Sequence, residues 1–162
     1  MKCFSVLVLF LFILLSSMHN CFGQADTLSG IPKIRELIIS KKIEEAKKEV
    51  TAQIDFFKTQ KNYDTLPYYI EFVGSYTLSD NNWDLALNKA QLFVNELKEY
   101  NNASITKQAL KELAWIYDET GRPDKAYQLI LEALVYAKKE TVPKGSTVAD
   151  LTYNLGYYSG AS

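Results

Sequence analysis

Three alanines set the frame for this chain. Ile43-Glu44-Glu45-Ala46, Trp83-Asp84-Leu85-Ala86 and Pro123-Asp124-Lys125-Ala126 each end in alanine, 40 residues apart both times, with an acid two positions earlier. Self-similarity at a fixed period of about 20–50 residues is the mark of stacked repeats, in which each unit buries its apolar face only against its neighbours. A 40-residue unit is long enough for two helices and their turns, and the residues between the alanines fit that plan.

The third unit shows it best. Ser104 is a candidate cap for a helix continuing through Leu110, Leu113, Ala114 and Tyr117, apolar positions at helical spacing. Gly121 falls where a helix end takes a left-handed residue, and Pro123 at the first position of the next helix. Asp124 then sits in a first turn, where it complements the helix dipole. The second helix carries Ala126, Ile130, Ala133, Leu134 and Ala137, its alanines leaving room for close helix approach. In the second unit Asp64 or Thr65 is the expected cap, with Pro67 in the first turn and Ile70, Val73 and Gly74 facing the core. Ser79 to Asn82 makes the turn, Asn82 caps a helix from Trp83, and Ala86, Ala90, Phe93 and Leu97 point inward. The first unit pairs a short helix, Ile31 to Ile39, with Ile43 to Lys58, burying Ala46, Val50, Ile54 and Phe57. A fourth unit opens after Pro143-Lys144-Gly145, with Thr147 as cap and Asp150 three residues on as its capping-box acid. The expected units are 29–62, 64–102, 104–142 and 146–162.

The fourth unit stops before a second helix. Leu151, Leu155 and Tyr158 are therefore expected to be exposed or only partly covered, and the natural protein is expected to continue beyond Ser162 into more repeats or another domain.

The first 23 residues differ from the rest. Lys2 is followed by twelve apolar or small residues, Phe4 to Leu15, then a polar stretch and Cys21-Phe22-Gly23. The run is too short to span a bilayer comfortably but suits the apolar core of a secretory signal. Residues 1–23 are thus read as a signal peptide cleaved near Gly23, leaving 24–162 as a helical-repeat domain delivered to the periplasm, cell surface or medium. A retained anchor and a lipidated Cys21 are the alternatives. Cleavage removes Cys3, Cys21 and His19, all the cysteine and histidine in the chain. It also removes Lys2, leaving 17 basic residues against 19 acidic and a net charge of −2.

That inventory excludes several chemistries. Without His or Cys the mature chain builds no Ser-His-Asp triad, no cysteine nucleophile and no His/Cys zinc site. Near-neutral charge, with Arg35 and Arg122 as the only arginines, argues against nucleic-acid binding. Asp80-x-Asn82-x-Asp84 matches the opening of a calcium loop, but Leu85 and Gln91 stand where glycine and an acid are required. It reads as a turn with a cap. Asp118-Glu119 reads as a solvated helix end. Asn102-Ala103-Ser104 is a glycosylation sequon that a loop followed by a helix cap explains equally. Gly156 and Gly160, four apart, read as positions of close helix contact, not as a phosphate loop. No cofactor and no metal are expected, and the chain is not expected to be an enzyme.

Leu113-Ala114-x-x-Tyr117, Gly121, Asp124-Lys125-Ala126 and Ala133 together resemble one tetratricopeptide repeat. Asn154-Leu155-Gly156 resembles the start of another, and Val73-Gly74 and Ala86 fit the same slots. The resemblance covers the whole mature chain, best in units three and four. The spacing of 40 to 42 departs from the family's repeat of about 34 residues, and Thr77 and Ser159 stand where tyrosine is usual. The resemblance implies an all-α solenoid of antiparallel hairpins whose leading helices line a concave groove. The groove slots would hold Arg35, then Tyr68, Glu71 and Ser75, then Lys111, Trp115 and Asp118, then Tyr153 and Tyr157. Aromatic and arginine anchors flanked by charges suit a protein or peptide ligand more than a small molecule. The set lacks the clustered basic residues that grip a carboxylate-ended peptide. The expected function is an exported scaffold binding a protein or peptide; the alternative is the sensory or assembly arm of a larger enzyme or signalling protein, with its catalytic domain beyond residue 162.

Overall fold

The computed structural model describes residues 30–78, 82–140 and 147–160, with the side chains of 75–78 and of Gly160 left aside. Among these residues the chain is all-α. The helices are α1 (Gly30–Ile39), α2 (Ile43–Thr59), a 3-10 segment (Tyr63–Tyr69) running directly into α3 (Ile70–Leu78), α4 (Trp83–Glu99), α5 (Ala103–Glu119), α6 (Pro123–Ala137) and α7 (Val148–Gly160). The proposed signal peptide and its cleavage site, the Ser79 to Asn81 turn residues and Pro143 to Gly145 lie outside the described residues.

The 40-residue period divides in two. Helical segments begin at Ile43, Tyr63, Trp83, Ala103 and Pro123, one every 20 residues. Each of the described turns between them ends its helix on a left-handed residue: Lys41 (φ 57°), Lys61 (φ 54°), Asn101 (φ 51°) and Gly121 (φ 72°). At Lys41 the amide donates to the Ile38 carbonyl while Lys42 N–H reaches Leu37 O. The pattern repeats from Lys61 and Asn62 to Lys58 and Phe57, and from Gly121 and Arg122 to Asp118 and Tyr117. These paired bonds satisfy the last carbonyls of the helix and reverse the chain within three residues.

Capping partly follows expectation. Asn82 accepts from Leu85 N–H at 3.1 Å. Thr147 and Asp150 form a reciprocal box, Thr147 N–H donating to Asp150 Oδ2 at 2.8 Å and Asp150 N–H to Thr147 Oγ1 at 3.2 Å. Two caps differ. Asn102, not Ser104, caps α5, its Oδ1 accepting from Ser104 N–H and Ile105 N–H; the helix starts one residue before Ser104 and so takes that serine into its first turn. Neither Asp64 nor Thr65 caps the second unit, because the chain already turns as a 3-10 helix from Tyr63, with Pro67 inside it and Thr65 buried.

Each helix packs on the next in sequence, and the 3-10 segment and α3 also pack on α5 two helices later. One apolar core runs through all of them, from Ile34 to Tyr158. The period-marking Ala46, Ala86 and Ala126 are fully buried, as are Ala90 and Ala133. At Gly74 a Cβ would lie 3.3 Å from Ile116 Cδ1 and 4.0 Å from the Ala86 carbonyl, so α3 sits close to both α4 and α5 there. The last helix departs from expectation. Leu151 is fully buried and Tyr158 nearly so, while Leu155 is half-buried. That face of α7 lies on the preceding hairpin, leaving Thr152, Tyr153, Gly156 and Tyr157 outward. Nothing lies within 4 Å of a Cβ placed at Gly156, so it makes no close helix contact.

Ion pairs join helices that are not neighbours in sequence. Lys58 on α2 pairs with Glu96 on α4, and Lys98, its equivalent 40 residues on, pairs with Glu132 on α6 at 2.8 Å. Arg122, at the turn before α6, reaches Asp84 in the first turn of α4 at 2.6 Å. Asp84 and Asn82 thus serve a salt bridge and a cap, and the third residue of the calcium-like pattern, Asp80, lies outside the described residues. Among the described residues no three acid, His or Cys side chains converge on a metal position, and no helix is long and apolar enough to cross a membrane.

Candidate functional site

On α5, Gln108, Lys111, Glu112 and Trp115 are spaced i, i+3, i+4, i+7 and therefore form one stripe. The stripe beside it, Ala109, Leu113 and Ile116, is buried in the core and fixes which way the first one faces. On α7, Asp150, Tyr153 and Asn154 repeat the same spacing, oriented by buried Leu151 and Tyr158. The junction of the 3-10 segment with α3 presents Tyr68 and Glu71, and α1 presents Arg35.

These stripes border two adjoining cavities. The larger, about 670 Å³, is lined by Tyr68, Gln108, Lys111, Glu112, Ala149, Asp150, Tyr153 and Asn154. The smaller, about 300 Å³, lies among Arg35, Glu71, Lys111, Glu112, Trp115, Asn154 and Tyr158. Lys111, Glu112 and Asn154 belong to both, so the two are lobes of one basin.

Six of the nine expected groove residues meet there: Arg35, Tyr68, Glu71, Lys111, Trp115 and Tyr153. Trp115 lines the smaller lobe and keeps 44% of its surface exposed, against full burial for Ala114 beside it. Tyr157 and Asp118 lie outside the lining. Tyr157 is exposed, its ring edge-on to Tyr158 at a centroid distance of 5.3 Å, because residue 157 is one position round the helix from the inward Tyr158. Asp118 is half-buried a turn beyond Trp115, close enough to Tyr158 to raise its phenol. The side chain of Ser75 is outside what is described. Sequence reasoning missed Gln108, Glu112, Ala149, Asn154 and Tyr158 as lining residues, and gave Asp150 only a capping role. The signal was available: choosing one residue per turn traces a line, whereas an amphipathic helix presents a stripe at least about 100° wide, which brings Gln108 and Glu112 in beside Lys111.

The electrostatics centre on Glu112. Burial pushes its carboxyl up from the ordinary value, a shift that Lys111 and a hydrogen bond from Gln108 reduce and Glu71 increases. Gln108 Nε2 donates to Glu112 Oε1 at 2.6 Å. Tyr68 is raised by burial and by the charges of Glu112 and Asp64. Asp150 is held below the usual carboxylate range by its bonds from Thr147. Arg35 lies 3.6 Å from Glu71 and 5.9 Å above the Phe72 ring, so two residues of one α3 turn hold it. The arrangement offers amide donors and acceptors, aromatic faces and a half-buried acid. An ionisable group perturbed by desolvation in a cleft is a physical pointer to a binding site. Comparison with protein-family models, with curated proteins and with solved structures gave no match.

Proposed function

We propose that this chain is an exported scaffold of the tetratricopeptide type, and that it holds a protein or peptide segment in the basin on its inner face. One observation carries the reading. Side chains from four successive leading segments, α1, the 3-10 segment with α3, α5 and α7, border the same basin although up to 123 residues separate them, from Arg35 to Tyr158. A stack of hairpins with a 40-residue repeat supplies the reason: equivalent stripes of leading helices line up on one side while second helices cover the other. An extended ligand then meets successive units in register. The half-exposed Trp115 and Tyr68 are its natural anchors, since large aromatics dominate binding energy at such surfaces. The signal-like residues 1–23 support export, with the mature chain beginning at Gln24.

A photo-reactive amino acid placed at Tyr153 should cross-link a partner in the exporting host, whereas the same group at exposed Lys125 on α6 should not. Trp115→Ala and Tyr68→Ala should abolish the cross-link while leaving the helical signal and melting curve intact. Equal cross-linking from both positions, or binding indifferent to both alanines in a folded protein, would reject the groove. Amino-terminal sequencing of the exported product tests cleavage after Gly23.

A further inference from the structure

The basin's charges differ in how they are met. Among the described residues only Arg35 and Glu71 are joined in an ion pair within the basin. Asp150 is engaged by Thr147 through backbone and hydroxyl. Glu112, half-buried and shared by both lobes, accepts a hydrogen bond from the neutral amide of Gln108 and, among the described residues, closes no ion pair. Lys111 lies on the same stripe, where it attracts both Glu112 and Asp150 without closing an ion pair on either. The charged lining sums to two cations, Arg35 and Lys111, against three anions, Glu71, Glu112 and Asp150. The walls on either side of Glu112 are aromatic: Tyr68 and Tyr153 in the larger lobe, Trp115 and Tyr158 in the smaller.

We propose that the basin selects an extended peptide segment carrying a lysine or arginine, whose cationic head is received at Glu112 between these aromatic walls. The inference rests on the scaffold reading above and specifies its ligand. The physical argument is one of elimination by cost. An anionic side chain would enter a basin of net charge −1 and meet Glu112 in a partly desolvated place, where like charges repel strongly. An apolar side chain would strip the remaining water from Glu112 and leave a carboxylate with an amide as its partner, which is costly. A cation removes both costs and gains attraction from the ring faces, which is worth more as water is excluded. Arginine has the further advantage of a planar fork that matches the carboxylate. The basin spans α1 to α7 and is larger than one side chain, so the cation is expected within a segment whose neighbours contact Tyr153 and Arg35. Lys111 works against the ligand, which makes it diagnostic.

The test uses the mature chain with Trp83→Phe, so that Trp115 is the sole tryptophan reporter. The probes are pools of capped decapeptides with randomised flanks and a central position fixed as Lys, Arg, Gln or Glu. Trp115 fluorescence should titrate with the Lys and Arg pools at concentrations about tenfold or more below the Gln and Glu pools, a difference of about 1.4 kcal/mol. Glu112→Gln should remove that preference, and Lys111→Gln should enlarge it. Opposite responses, a preference for the Glu pool, or an unchanged Lys preference in folded Glu112→Gln would overturn the cation assignment. Binding of all four pools alike, lost in Tyr68→Ala, would also overturn it while leaving the peptide scaffold standing. Failure of every pool to bind would reject both.

Discussion

Lys107 on α5 and Glu140 just past the end of α6 form an ion pair, Nζ to Oε2 at 2.5 Å, with the lysine side chain fully buried and the glutamate 7% exposed. It ties the start of one helix to the end of its antiparallel neighbour. Breaking one side of such a pair leaves an uncompensated buried charge, which costs about 3–5 kcal/mol. Glu140→Gln and Lys107→Met should each lower stability by that order in chemical denaturation. Replacing both, as Lys107→Met with Glu140→Leu, should recover most of the loss. A double variant as unstable as the singles would show that the pair is worth more than its desolvation cost.

The left-handed turn residues give two opposite expectations. Gly121, at φ 72°, has nothing within 4 Å of a Cβ, so Gly121→Ala meets only backbone strain and should cost about 1 kcal/mol. Lys61 holds φ 54° with an exposed side chain. Lys61→Gly should therefore stabilise by roughly 0.5–1 kcal/mol, the strain removed outweighing the extra freedom of glycine in the unfolded chain. Thermal melts of the two variants measure both.

Gly74 tests packing, because a helix interior prefers alanine to glycine by about 1 kcal/mol. Gly74→Ala brings a Cβ to 3.3 Å from the movable end of Ile116, and the two effects should leave stability within about 0.5 kcal/mol of the parent. Gly74→Leu has no such room and should cost about 2 kcal/mol or more by forcing α3 away from α4 and α5.

Burial raises Glu112 above its ordinary 4.5. The protonated form is thus favoured by folding, and ionisation takes stability away as pH rises from the ordinary value through the folded one. Glu112→Gln should melt higher than the parent at pH 7, and the advantage should vanish below pH ~4, where the parent carboxyl is protonated in both states. An advantage that persists in acid would place its origin in packing, not charge.

Tyr69 and Tyr158 are both pushed up from 10.0 to about 12, chiefly by burial. Their neutral phenols are favoured in the folded state, so their contribution is intact below pH 10 and is lost between pH 10 and 12 as the unfolded chain ionises first. Tyr69 OH is also buried without a hydrogen-bond partner among the described residues. Tyr69→Phe should therefore flatten the alkaline loss and leave stability at pH 7 equal or slightly higher, as followed by far-ultraviolet dichroism.

The all-α class, the helix positions and most of the core were legible in the sequence. Alanine, glycine and proline act locally: Ala46, Ala86 and Ala126 mark a period, Gly121 and Pro123 end one helix and start the next, and apolar spacing gives the buried stripe. Lys41 and Lys61 hid the finer 20-residue rhythm because lysine carries no preference for the left-handed region, which glycine and asparagine, as at Asn101, do. Tertiary structure decided what local rules do not address. Whether Asn102 or Ser104 caps α5 depended on where the preceding turn delivered the chain, and Leu151 and Tyr158 were buried by the hairpin before them, not by a partner after them. The site divides the same way. Residue types and helical stripes, including Tyr68, Lys111 and Trp115, follow from sequence alone. That Glu112 lies half-buried at the junction of two cavities, with Gln108 as its hydrogen-bond donor, follows only from the stacking of α5 against the 3-10 segment and α3 and of α7 on α6, since burial of a side chain is a property of its neighbours in space.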